Sequence, residues 1–291
     1  MKKLTLLLAC VLLLTSCAAP MAKSDIAATT LPVYEFTTRL CEGTGLTVTR
    51  LVTESVSCLH DYSLNVRQVR SAESAHVMVI TGAGLEEFME DLLRDKDVID
   101  SSAGIDLMEC AESHHDHDHG HHHEADNHIW LSPANARTMA ENICAGLEER
   151  YPEHAGTFRG NLSCLLKDLD ALEHYGAQQL ENLSCRELVT FHDGFGYLAE
   201  SFGLHILEAV EEESGSEASA AELKHLITLV REHSLPAIFT ETNGSPAAAA
   251  IISAETGAKV YTLDMAMSGE SWFEAMYHNI DTIKEALGCG E

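Results

Sequence analysis

The chain has 291 residues, 45% of them hydrophobic, and carries 46 acidic against 18 basic residues, a formal net charge of −28 with histidine neutral. That length is enough for one large domain or two modest ones with real cores. The acidic balance argues against nucleic acid, whose phosphates need a basic face, and fits either a surface that draws cations in or plain solubility.

Met1-Lys2-Lys3 is a short positive region and Leu4 to Leu14 an apolar core, too short to cross a bilayer as a helix. Residues 1–16 therefore read as a secretory signal. Leu14-Thr15-Ser16-Cys17 resembles a bacterial lipobox, which makes Cys17 the lipid anchor and 17–24 a lipidated tether. The alternative is an ordinary signal with a chance cysteine. Acyl chains hold a protein at a membrane face without a spanning helix, so the mature chain is expected outside the cytoplasm, on a bacterial cell surface or the periplasmic side. Of the nine cysteines, Cys10 leaves with the signal and Cys17 is the anchor. The remaining seven are an odd count with no CxxC pair, so at least one free thiol or an intermolecular link is expected and a thiolate zinc knuckle is not.

Strand-like and helix-like segments then alternate. DIAATT is a short strand, and Pro32 opens the helix LPVYEFTTRLC. LTVTRLV (46–52) is a strand, NVRQVRSAES a helix, HVMVITG (76–82) a buried strand, LEEFMEDLLR a helix and DVIDSS a strand. Residues 109–127 lack apolar periodicity and hold seven histidines in HHDHDHGHHH (114–123), a flexible histidine-rich loop. A helix over 132–152 starts with Ser132 as cap and Pro133 at its first position. A longer one over 153–183 repeats Leu162, Leu165, Leu166, Leu169 and Leu172 at helical spacing. ELVTF, LHILEAV, PAIFTE and AKVYTL are the strands of a second series, separated by helical segments and closed by the helix 271–288. The alternation predicts an α/β protein of two lobes: 25–152 and 184–291, each a parallel sheet flanked by helices, joined by the long helix.

Three histidines follow apolar strand-like runs in different thirds of the chain: His60 in CLHDYS, His128 in DNHIWLSP and His192 in TFHDGFGYL. In parallel sheets ligands bind beyond the carboxyl ends of strands, often between domains. Asp264 lies just past the last strand, in YTLDMAM. If the sheets face each other, three imidazoles and one carboxylate converge on a tetrahedral N3O site suited to zinc, with Zn–N of about 2.0–2.1 Å. Asp61 and Asp193, each directly after a ligand histidine, are candidate acceptors behind the rings, and Trp130 reads as core packing nearby. More nitrogen and less oxygen moves preference from manganese toward zinc.

The segments HDYSLNVRQVRSAESAHVMVITGAGLEEFMEDLL, NHIWLSPANARTMAENI, FHDGFGYLAESFGL and PAIFTETNGSPAAAAIISAETGAKVYTLD, with the histidine-rich insert, resemble the metal-binding lipoproteins of bacterial zinc and manganese ABC transporters. The resemblance covers essentially the whole mature chain. It implies two lobes on one long rigid helix, metal held between them, ligands at His60, His128 and His192, and a fourth at Asp264, Glu270 or a water. It also implies a monomer that captures Zn2+ (Mn2+ being the lesser alternative) and delivers it to a membrane permease. A zinc hydrolase and a metal-stabilised adhesin are the other readings. The chain has no HExxH, and Asp264 offers to close the position that catalytic zinc leaves open, so no enzyme is expected.

Overall fold

A computed structural model describes residues 24–56, 59, 62–109, 125–210 and 218–288. Its first sheet contains β1 (Ile26–Ala28), β2 (Val48–Arg50), β3 (Val77–Ile80) and β4 (Asp97–Asp100) in the order β2-β1-β3-β4. The second contains β5 (Glu187–Thr190), β6 (His205–Ala209), β7 (Ala237–Glu241) and β8 (Lys259–Leu263) in the order β6-β5-β7-β8. Every pairing is parallel, and both halves use the same strand order. The α/β class read from the alternation is the one observed.

The helices are α1 (Leu31–Leu40), α2 (Val66–Ser74), α3 (Glu90–Leu93), α4 (Pro133–Arg150), α5 (Ala155–Gln179), α6 (Gly196–Ser201), α7 (Ala220–Glu232), α8 (Ala247–Thr256) and α9 (Trp272–Leu287). Side-chain caps set four of their starts. Asn65 with Gln68 and Ser219 with Glu222 form capping boxes. Ser132 and Ser271 cap α4 and α9 through their hydroxyls.

Two helices depart from the sequence reading. The run LEEFMEDLLR is a 3-10 turn, Glu87–Met89, followed by the four-residue α3. Glu86 turns inward there: its carboxylate accepts the Thr29 hydroxyl at 2.6 Å and the Thr81 and Gly82 amides at 2.8 and 3.0 Å. Gly82, Ala83 and Gly84 all adopt positive φ to bring it in, so regular helix begins late. The long α5 ends at Gln179 although leucines continue the period to Leu183. The Arg186 guanidinium satisfies the chain end there, donating to the Leu180 and Glu181 carbonyls at 2.8 and 2.9 Å in place of the amides of a further turn. With 25 residues, α5 is about 38 Å long.

Strand alternation divides the apolar interior. Ile26 and Ala28 of β1, and Ala237 and Phe239 of β7, face one core that runs through both halves and includes Trp130, Leu169 and Trp272. Ala27 and Ile238 face two smaller cores on the outer sides of their sheets. Polar contacts stitch the seam between the halves. Glu35 of α1 accepts the Trp272 amide and the Ser271 hydroxyl at the start of α9, at 2.5 and 3.2 Å. Arg50 donates to the Gly269 carbonyl at 2.9 Å.

Candidate metal centre

Of the predicted ligands that the structure describes, His192 and Asp264 sit just past the carboxyl ends of strands and His128 at the entrance to a helix. His128 precedes a 3-10 turn, Ile129–Leu131, that leads into α4. His192 lies two residues past the end of β5, and Asp264 one residue past β8. Both belong to the second sheet, where β7 lies between β5 and β8.

The fold brings His128 and His192 together. Their Nε2 atoms are 3.3 Å apart, with the rings nearly perpendicular at 89°. His128 is buried, and its Nδ1 lies 2.8 Å from Asp126 Oδ1, an oxygen that also accepts the His128 amide at 2.9 Å. With Asp126 as acceptor, the proton resides on Nδ1 and the Nε2 lone pair points at His192. Behind His192, Glu241 Oε2 is 3.8 Å from Nδ1. Tetrahedral zinc with bonds of about 2.0–2.1 Å separates adjacent ligand nitrogens by about 3.3–3.4 Å. The observed nitrogen separation matches one edge of such a tetrahedron.

Packing leaves no room for error around this edge. A Cβ on Gly194 would fall 2.8 Å from His192 Cδ2, 3.0 Å from His128 Cδ2 and 2.6 Å from Met265 Cε. Only glycine lets the loop after β5 pass between the rings and Met265. Asp126 is itself fixed from the other half of the molecule. The Tyr197 hydroxyl donates to its carbonyl at 2.9 Å and accepts the Met108 amide at 2.9 Å. Glu109 and Ala125 pair antiparallel beside it.

Asp264 is half-buried; its Oδ1 accepts the Ala266 amide at 2.7 Å, and its backbone is held on both sides by the Asn279 amide, each bond 2.7 Å. Glu270 is exposed, one residue before the Ser271 cap of α9. His60, Asp61, Cys17, Cys58 and the tract 114–123 lie outside the described residues. Among the described residues no third histidine, cysteine or carboxylate completes a ligand cluster. The described cysteines Cys41, Cys144, Cys164 and Cys185 are free. Burial pushes the Cys41 and Cys144 thiols up to about 12, so neither supplies a thiolate.

Two carboxylates escaped the sequence reading. Asp126 stands two residues before His128, and Glu241 ends β7 beside the strand that leads to His192. The signal for Glu241 was its place at a strand's carboxyl end, the position already used to single out His192 and Asp264. Trp130 is fully buried, its ring 5.2 Å from that of His128.

Comparison with known proteins places the chain in a family. Residues 26–286 match the family described as zinc-uptake complex component A, periplasmic. The chain is 32% identical over 307 aligned positions to the zinc-binding lipoprotein AdcA of Streptococcus pneumoniae, a match covering 98% of this chain and 61% of that protein's length. It is 30% identical to the high-affinity zinc uptake system protein ZnuA of Bacillus subtilis, over 96% of this chain and 95% of that one. A manganese-binding lipoprotein, MntA of Halalkalibacterium halodurans, is 28% identical over 78% of this chain and 77% of its own. A crystal structure of ZnuA superposes with a TM-score of 0.78 at 28% identity, over 91% of this chain and all of that one. By name AdcA and MntA are metal-binding lipoproteins and ZnuA is a zinc uptake system protein; none is named as an enzyme. The chain belongs to the periplasmic zinc-uptake component family of solute-binding proteins.

Proposed function

We propose that this protein captures Zn2+ between its two lobes outside the cytoplasm and hands it to an ABC-type membrane permease. The observation that carries this reading is the 3.3 Å between the Nε2 atoms of His128 and His192, with His128's proton held on its far nitrogen by Asp126. Two imidazole lone pairs at that separation suit one cation shared between them. His60 and Asp264 are proposed to complete a tetrahedral shell.

A shell of three imidazoles and one carboxylate is richer in nitrogen than manganese prefers, which supports zinc over manganese. The carboxylates nearest the rings, Asp126 and Glu241, stand behind the imidazoles at their Nδ1 sides. That placement orients and enriches the nitrogens rather than adding oxygens to the shell. We further propose that residues 1–16 are removed, that Cys17 carries the lipid with 17–24 as tether, and that the monomer's lobes are 25–152 and 184–291, joined by 153–183.

Titration of the purified, metal-stripped protein with zinc and with manganese tests the assignment. One zinc per chain, bound far more tightly than manganese, is expected. Equal affinities, or manganese preferred, would transfer the reading to manganese uptake.

A further inference from the structure

We infer that Trp130 is a positioning residue for the metal centre: its indole N–H ties the loop that carries Asp264, in the second half, to the turn that presents His128, in the first. The inference rests on the zinc-capture reading above. A buried indole needs an acceptor for its N–H, and many would serve. Here the acceptor is the Met265 carbonyl, 2.7 Å from Nε1 and 135 residues away in sequence.

Met265 directly follows Asp264, and its methyl lies against Gly194, the same glycine that packs against both imidazole rings. Trp130 is two residues past His128 in a single 3-10 turn. One rigid turn therefore directs an imidazole into the cleft and an indole onto the loop across it.

The loop is held in a conformation it would not hold freely. Ala266 sits at φ 54°, in the left-handed region that a residue with a Cβ seldom enters. Such a conformation persists only where surrounding contacts over-determine it. Those contacts are the Asp264 carboxylate on the Ala266 amide, the Asn279 amide on the Asp264 backbone, and the Trp130 indole on the Met265 carbonyl. Asn279 and both tryptophans are fully buried. Trp130 is steadied in turn by Trp272, whose Nε1 donates to the Trp130 carbonyl at 3.1 Å. Of these three contacts around Asp264 and Ala266, only the indole comes from the half that bears His128; further along the same loop Arg50, also of that half, donates to the Gly269 carbonyl. The indole is the one of the two that grips the residue next to Asp264.

The test is a double-mutant cycle on the full chain, reading zinc affinity by competition with a chromophoric chelator. Trp130→Phe is expected to weaken zinc about tenfold, the effect of one buried hydrogen bond acting on a ligand. In an Asp264→Ala background the same change is expected to alter affinity less than about twofold, because the carboxylate it positions is gone. Melting of the metal-free proteins gives the contrasting readout, since loss of packing alone lowers stability in both backgrounds without coupling to Asp264. Unchanged affinity in Trp130→Phe, or an equal loss in both backgrounds, overturns the inference. Should Trp130→Phe not fold, benzothienylalanine at position 130 keeps the bicyclic volume and removes only the N–H, with the same expected outcomes. Failure of the unsubstituted chain to bind zinc would instead remove the zinc reading itself.

Discussion

The two histidines that meet in the cleft are held to different standards. His128, from the first half, has its side chain 6% exposed and its Nδ1 2.8 Å from a carboxylate that also grips its own amide. His192, from the second half, is 19% exposed, and the carboxylate behind it is 3.8 Å away, beyond hydrogen-bond length. The first ring is thus buried against a carboxylate at hydrogen-bond length, and the second is more exposed with a longer carboxylate contact.

The largest test removes the buried ring. His128→Ala is expected to reduce zinc affinity by about a thousandfold while the protein stays folded, measured by chelator competition and circular dichroism. His192→Ala should cost less, and a reversed order would break the comparison. Next come the carboxylates behind the rings. Asp126→Asn is expected to weaken zinc by about 10- to 100-fold, the usual effect of losing such an acceptor. Glu241→Gln should change affinity by less than about fivefold, given the longer contact. Acid acts on both rings together: protons compete with the metal for the imidazole nitrogens, so affinity should fall on acidification in calorimetric titrations.

The smallest effect concerns the seam. Burial raises the Glu35 carboxyl above its ordinary value, outweighing the hydrogen bonds from Trp272 and Ser271 that lower it. A raised carboxyl binds its proton more tightly in the folded state. The stability linked to that proton is complete below the ordinary carboxylate range and lost as pH rises through the raised value. Glu35→Gln should therefore flatten the pH dependence of urea unfolding across that interval without moving zinc affinity. A change in affinity would mean the seam reaches the cleft.

Residue chemistry made much of this legible. Imidazoles just past apolar runs identified His128 and His192, and alternating segments gave the α/β class, because both signals are local. What stayed hidden depends on strand order. Nothing in PAIFTE says that its glutamate ends a strand lying between those leading to His192 and Asp264. Asp126 was adjacent in sequence yet read as part of a solvated acidic insert. The overlong helix has the same origin, since leucine spacing continued past Gln179 while Arg186, from a later segment, took the carbonyls. The indole bonds of Trp130 and Trp272 join residues 135 and 142 positions apart, a relation no periodicity encodes.

The apolar interior shared by both halves has a consequence for how the molecule comes apart. Side chains of α5 and of both sheets lie in the same cluster, so neither half owns a separate interior on that side. Heat should melt the protein in one cooperative step, and a cation bound in the cleft should raise that single midpoint rather than protect one half alone. Cutting the backbone within α5 should leave two pieces that no longer hold shape independently.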